Sequence, residues 1–330
     1  MKLCAVIVTY GDRFHFLSQV IDACLKEGIF KIIVVDNASK KNSRSKLKEL
    51  DTKEDRLKVI YLDKNTGSAG GYKRGLEEAY QSTECEYILA LDDDNIIQKN
   101  ALDKLENVLS YLSQHKDNLM LGMYRPIWSQ DNATVKEGKI KKYNPNNFMG
   151  FNFLTFLNQS FRKKLLKDNI QNKRLNLFPL QPIEISAMGG LFFSRKVIDK
   201  LGYPKEDFFV YADDHEYTYR FTKNGGKIFL CSEIMIEDID QTSLNDSNES
   251  IGFFHKDFSE IKMYYSIRNH TYLSKEFMTN KIFFYANLSV LSLLHFKNIF
   301  KTSFPLFMKR YKLYLKAISD GLNGHLGRNF

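Results

Sequence analysis

The chain has 330 residues, 43% of them hydrophobic, with 18 Tyr and 26 Phe; this excludes a largely disordered chain and suits one large α/β domain with an appendage, or two smaller domains. Its 48 Lys and Arg against 39 Asp and Glu give a formal charge of +9, which favours anionic partners. Cys4, Cys24, Cys85 and Cys231 form no C-x-x-C pair, so no zinc knuckle or redox motif is indicated, and all four read as core residues in a reducing compartment.

The opening MKLCAVIVTY is ended too soon by Gly11, Asp12 and Arg13 to be a signal peptide and reads as a buried strand over Lys2 to Val8. Phe14, Leu17, Ile21, Cys24 and Leu25 recur at helical spacing up to Gly28, a natural helix stop, and a second strand follows from Lys31 to Val35. Strand, helix and strand over so short a span imply a right-handed crossover and parallel pairing. The alternation continues with a strand at Lys58 to Leu62, a helix at Lys73 to Tyr80, a strand at Tyr87 to Leu91 and a helix at Asn100 to Leu112. Runs such as IIVV and YILAL suit a sheet covered on both faces, so the first half reads as a doubly wound α/β sheet that binds ligands beyond the carboxyl ends of its strands.

Trp128 to Leu177 is rich in Asn and Lys without clear period; its structure stays open, with an acceptor-side loop as one use. Met188 to Phe193 reads as a strand entered through a close backbone approach. Near Ser250 the composition turns to helix-compatible aromatic segments, so residues 1–250 are expected to form the α/β domain and 251–330 a helical region, membrane-associating or oligomerising. Ile282 to Phe296 holds no charged residue, yet is shorter than the roughly 20 residues of a membrane span. Phe300, Phe304, Phe307, Tyr311 and Tyr314 share a helical stripe from which Lys301, Lys309, Lys312 and Lys316 turn away. Such a helix either lies in a bilayer interface or packs on the catalytic domain. From Phe296 onward seven Lys and Arg face one acid, Asp320, which suits phospholipid head groups or a lipid-linked substrate.

Four constellations can carry chemistry. Asp92-Asp93-Asp94-Asn95 follows a buried strand, and in extended backbone Asp92 and Asp94 point the same way, able to share one hard divalent cation that bridges a diphosphate. Asn65 to Gly75 is a glycine-rich turn leading into a helix, suited to phosphate, although no Gly-Lys-Ser/Thr makes it a Walker loop. Asp213-Asp214-His215-Glu216 follows an aromatic run and could hold a general base or a second metal, or simply open a charged helix. Asp36 follows the second strand, where an acid can accept hydrogen bonds from a base or ribose. The first strand ends in Val8-Thr9-Tyr10-Gly11 and lacks G-x-G-x-x-G, against a dinucleotide-binding oxidoreductase.

In series, VTY…R, VVDNAS, NTGSAGGYKRG, LDDDN, MGGLFFSR, FFVYADDHEYTYR and a closing AISDGLNGHLGR resemble the family-2 glycosyltransferases of GT-A fold, particularly the bacterial rhamnosyl- and galactofuranosyltransferase branch. The resemblance covers about two thirds of the chain and implies a doubly wound mixed α/β sheet with a C-terminal helical extension. It also implies an inverting, metal-dependent transferase whose catalytic domain is residues 1–250; the basic, aromatic C-terminal stripe adds the expectation of a place at the cytoplasmic face of the cell membrane. The donor would be a UDP- or dTDP-linked sugar, the acceptor a glycan or polyprenyl-linked glycan, the cofactor Mg2+ or Mn2+; no nucleic acid is expected, and a homo-oligomer is allowed. Thr9, Tyr10, Arg13, Asp36, Asn65, Gly71, Lys73, Arg74 and Asp93 would line the nucleotide pocket. Asp92 and Asp94 would bind metal, Met188, Gly189 and Gly190 would form the floor where donor and acceptor meet, and Asp214 would be the base with Asp213 and Glu216 in support. Family members often carry a metal-binding His shortly after the base, but Met235 to Gln241 has none, leaving Asp238 or His255 as substitutes. A sugar nucleotidyltransferase would want a Gly- and Arg-containing loop after the first strand, which is missing; an inactive sugar-nucleotide-binding scaffold is the non-enzymatic alternative.

Overall fold

The apolar runs at Leu3–Thr9, Lys31–Asn37 and Tyr87–Asp92 become strands that are buried on both sides, while Leu57–Leu62 is only partly covered. The structure, a computed structural model, describes residues 1–112, 116–137, 142–162, 179–240 and 252–329. Its strands are β1 (Leu3–Thr9), β2 (Lys31–Asn37), β3 (Leu57–Leu62), β4 (Tyr87–Asp92), β5 (Asn95–Ile97), β6 (Leu119–Tyr124), β7 (Leu180–Ile183), β8 (Leu191–Ser194) and β9 (Lys227–Asp238). They form a mixed sheet in the order β3-β2-β1-β4-β8-β6-β9-β5, with β7 pairing β9. β1 to β4 are mutually parallel, as right-handed crossovers require, while β8 runs antiparallel between β4 and β6. The register sets Thr9 opposite Asp36 and Val8 opposite Asp92, so three candidate site residues meet at one carboxyl edge.

Alternation along β1 divides the core. Leu3, Ala5 and Ile7 pack with Leu17, Val20 and Ile21 of α1 (Phe14–Lys26). Val6 and Val8 face Tyr72, Leu76 and Ala79 of α3 (Gly67–Gln81). This helix starts six residues earlier than the apolar period predicts, inside the glycine run, because Asn37 organises its start: the Asn37 side chain donates to the Gly67 carbonyl and accepts from the Thr66 N–H, both at 2.8 Å. A side chain at Gly71 would strike Val8, and one at Gly75 would strike Val6; these glycines set a close helix–sheet approach. The remaining helices of this part are α2 (Lys41–Asp51), α4 (Ala101–Tyr111), α5 (Ser129–Glu137), α7 (Lys196–Leu201) and α8 (Asp213–Lys223). Cys4 and Cys85 form a disulfide with Cα atoms 5.7 Å apart, whereas Cys24 and Cys231 are free and buried. The reading of four separate core cysteines is corrected for that pair, which the β1–β4 register brings together across 81 residues of sequence.

The chain forms two compact units: Met1–Lys142, Leu175–Phe209 and Asp213–Leu244 make the sheet unit, and Tyr143–Arg174, Val210–Ala212 and Asn245–Phe330 make a helical unit. The unit boundary thus differs from one cut at residue 250, since part of the Asn- and Lys-rich middle joins the helices. Much of that middle lies outside the described residues.

The helical unit holds α6 (Phe153–Arg162), α9 (Glu260–Phe277), α10 (Lys281–Leu294), a 3-10 continuation (His295–Phe300) and α11 (Phe304–Asn323). Ser259 caps α9 and Asn280 caps α10. The closing AISDGLNGHLGR segment fastens α11 to α9: Tyr264 donates to Asp320 at 2.5 Å, buried Arg268 donates to the Gly327 carbonyl at 2.6 Å, and Gly321 leaves room for the Arg268 carbonyl. Phe307 and Tyr314 are fully buried in an aromatic cluster with Phe254, Tyr311 and His295. The stripe expected to choose between bilayer and protein therefore turns its centre into this unit's own core.

Gly67 has φ +75° and a side chain there would run into the Phe209 carbonyl, whereas Gly28, at φ +77°, has open space. Gly28→Ala should lose about 1 kcal/mol for its left-handed backbone, and Gly67→Ala more than about 2 kcal/mol because collision adds to strain; urea denaturation of both variants checks the order.

Candidate active site

The turn after β4 concentrates negative charge. Asp92 ends β4, and Asp93 and Asp94 lead into β5, which pairs with the end of β9. Arg13, immediately before α1, binds this turn with its whole guanidinium. Its Nε donates to both Asp93 oxygens at 2.9 and 3.0 Å, Nη2 to Asp94 at 2.8 Å and Nη1 to Asp240 at 2.6 Å. Thr9 Oγ1 donates to Asp93 at 2.7 Å. Burial pushes the Asp93 carboxyl up to about 6 against the pull of Arg13. Asp94 goes up to about 7 through burial and the neighbouring Asp92 and Asp93 charges. Burial alone would lower the Arg13 pKa, but Asp93 and Asp240 outweigh it and raise it. Arg13 is thus a fixed cation for an edge that would otherwise repel itself. Tyr10 is half exposed, with the Arg13 guanidinium 5.7 Å from its ring centre.

Asp92 faces a second group. Tyr72 donates to its Oδ1 at 2.6 Å, and Arg125 approaches its other oxygen at 3.9 Å. Buried Arg125 donates to Asn95 at 3.1 Å and to the Gly189 carbonyl, and stacks on Trp128 at 4.2 Å. A side chain at Gly189 would meet Asp92, Asn95 and Arg125 together. Gly190, at φ +78°, donates its N–H to the Ala90 carbonyl at 2.7 Å, and Met188 is buried beside the sheet. The Met188-Gly189-Gly190 segment is therefore placed against Asp92. Arg125, Trp128 and Asp240 belong to the same edge but sit in none of the acidic or glycine-rich motifs, so sequence reasoning passes over them; Tyr72 and Asn95 lie inside NTGSAGGYKRG and LDDDN, but only the fold shows that they hold Asp92 and Asp238.

Carboxylate oxygens are the donors that Mg2+ or Mn2+ takes. Asp92 fits: its side chain is 48% exposed. Asp94 fits once it shares or releases Arg13. Asp238 is committed elsewhere, accepting from Asn95 at 2.6 Å and from Trp128 Nε1 at 2.8 Å. Among the described residues no three His, Cys, Asp or Glu side chains converge into a metal cage. His255 belongs to the helical unit, where its ring accepts from the Asp257 N–H at 3.3 Å.

The second acidic pair opens α8. Asp213 is buried and accepts from Ser68 Oγ at 3.1 Å, while Asp214 is partly exposed and accepts the His215 N–H at 2.7 Å. Burial, then the Asp214 charge, raises the Asp213 pKa, and Asp92 adds to the rise. The two motifs are thus within electrostatic reach of each other. Burial turns Asp213 toward its neutral form. Glu216 is buried in ion pairs with Arg220 at 2.9 Å and Lys205 at 3.3 Å, which assigns it to holding α8 in place. Three non-glycine residues just upstream, Phe209, Tyr211 and Ala212, have φ between 60° and 68°, a strained entry of the kind found at functional sites.

The other candidates are engaged with other partners. Asp36 is fully buried and satisfied by Arg44 and by the Ser39 N–H at 2.8 Å. Asn65 accepts the Gly67 N–H at 2.8 Å, Lys73 pairs with Glu206 at 2.6 Å, and Arg74 pairs with Glu77 at 2.5 Å. Gly71 serves the packing of α3 on β1.

Known proteins resemble this chain at low identity. The chain is 22% identical over 289 residues to the uncharacterized glycosyltransferase MJ1057 of Methanocaldococcus jannaschii, covering 85% of this chain and 84% of that protein. It is 25% identical over 225 residues to the low-salt glycan biosynthesis hexosyltransferase Agl10 of Haloferax volcanii, covering 67% and 63%. The crystal structure of GalNAc-T7 with UDP, GalNAc and Mn2+ superposes with a TM-score of 0.57 at 12% identity, covering 98% of this chain and 56% of that one. That likeness is one of fold, the mixed GT-A-type sheet expected from the sequence. Residues 4–201, more than half of the chain, match the family model, and the chain belongs to glycosyl transferase family 2.

Proposed function

We propose that this chain moves a sugar from a UDP- or dTDP-linked donor to a hydroxyl of a glycan or polyprenyl-linked glycan in surface polysaccharide synthesis, by one displacement that inverts the anomeric centre. The observation that carries this reading is the pairing of an accessible Asp214 with a buried Asp213 whose pKa is raised, within electrostatic reach of Asp92. Asp214 takes the proton of the acceptor hydroxyl while that oxygen bonds to the anomeric carbon. The bond from that carbon to the diphosphate oxygen breaks, and the nucleoside diphosphate leaves with the electron pair. A neutral Asp213 spares Asp214 a like charge at its side. Thr9, Arg13 and Asp93 lie where the nucleotide would approach the carboxyl edge. Mg2+ or Mn2+, held by Asp92 and Asp94, would supply positive charge to the departing diphosphate. Galactofuranose is the preferred sugar, on the resemblance of LDDDN to that branch, with dTDP-rhamnose second. The hexosyltransferase name of Agl10 is in keeping with a hexose donor.

Asp214→Asn should lower kcat about 10³-fold while donor affinity stays within about twofold, as for loss of a general base; steady-state turnover with calorimetric donor titration checks it, and retained turnover would remove Asp214 from this role. Asp213→Asn should lose less than about tenfold, since the neutral acid is the form that burial favours; a loss equal to that of Asp214→Asn overturns the division of labour. Thermal stabilisation by a panel of nucleotide sugars should be largest for UDP-galactofuranose with Mn2+ and vanish with a chelator; a larger shift with dTDP-rhamnose reassigns the donor.

A further inference from the structure

We propose that the helical unit docks on an anionic bilayer through the outward face of α10 and its 3-10 continuation. The inference rests on this unit alone and is independent of the reading of the sheet unit as a glycosyltransferase. Ile282, Tyr285, Ser289, Leu293, Phe296 and Phe300 recur at intervals of 3, 4, 4, 3 and 4 residues and all are exposed. Ile282 is 86% exposed, Leu293 67% and Phe300 91%, and Phe304 at the start of α11 continues the apolar surface at 61%. Leaving such side chains in water forfeits the free energy of their burial. An exposed stripe of this length that is apolar at every position but Ser289 marks an interaction face.

The charge pattern identifies the partner. From Phe277 to Ser319 the chain carries no Asp or Glu but seven Lys and Arg. Lys281 stands at one end of the stripe and Lys297 and Lys301 at the other, exposed and in no ion pair among the described residues. Apolar residues between lysines match acyl chains beneath anionic head groups. A second copy of the chain fits less well, because a twofold contact sets the same lysine-bearing patch against itself.

The opposite face decides between lying on the bilayer and crossing it. Lys281–Phe300 is 20 residues long with a mean hydropathy of 1.2, enough by length and composition alone to cross a membrane. Yet this segment is bonded sideways to its own unit. Buried Asn287 accepts the Phe153 N–H at 2.8 Å and donates to the Asn146 carbonyl at 2.9 Å. Ser292 shares a hydrogen bond with Tyr314 at 3.0 Å, and Tyr311 donates to the Ser292 carbonyl at 3.3 Å. Spanning would break these bonds and leave Asn287 in hydrocarbon; lying in the interface keeps them.

The test is flotation of the full chain with vesicles of phosphatidylcholine alone or with phosphatidylglycerol. Wild type should float with the anionic vesicles, detach at about 0.5 M salt and stay in solution with neutral ones. Leu293→Ser with Phe300→Ser should weaken the partition about tenfold or more, as loss of the buried apolar area requires. Lys297→Glu with Lys301→Glu should weaken it about as much through head-group repulsion, with an unchanged melting temperature in both variants, since all four positions are exposed. Equal flotation on both vesicle types, unchanged flotation of both double variants, or a dimer that the serine variant converts to monomer without altering flotation overturns the proposal. Extraction that needs detergent instead of salt overturns it in favour of a spanning helix.

Discussion

Carboxylates crowded at the end of a buried strand repel one another, and Arg13 makes their crowding tolerable here. Its guanidinium bonds to Asp93, Asp94 and Asp240, which come from the β4–β5 turn and from the segment after β9. One side chain thereby ties the first crossover to the far part of the sheet unit. Arg125 performs the corresponding task for Asp92 and Asp238 at longer range, 3.9 and 3.7 Å. Such a pair of cations is the solution expected where burial raises carboxyl pKa values but chemistry needs the acids retained.

The second constraint is backbone economy around α3. Gly67 yields to the Phe209 carbonyl, Gly71 to Val8 and Gly75 to Val6. Phe209 in turn begins the strained turn that opens α8 with Asp213 and Asp214. The glycine run thus acts through fit: it brings a helix close enough to β1 for Tyr72 to reach Asp92 and for Ser68 to reach Asp213. In this chain close packing and the presentation of acids are one geometric problem.

The parallel half of the sheet was legible because its strands are continuous apolar runs and α1 has a clear 3.6-residue period. Helix α2, KNSRSKLKELD, offers only Leu47 as a large buried apolar residue and no comparable period. The early start of α3 runs against glycine's poor helix propensity and is imposed by Asn37. The acidic motifs were readable as motifs, but their partners were not. Arg125 and Trp128 reach Asp92 and Asp238 only through the pairing of β6 with β8 and β9, and Cys4 finds Cys85 only through the β1–β4 register. The aromatic stripe was readable only as a face for a related reason: periodicity identifies a face of α11, while the neighbouring Phe254 and His295 decide which of its residues are covered.

Gly189 bears on how this protein can diverge. Any side chain at that position has to displace Asp92, Asn95 and Arg125 at once, so a single substitution there disturbs charge balance and backbone support together. Change is therefore closed at Gly189 and open at partly exposed positions of the same edge such as Tyr10, which can change size without displacing Asp92.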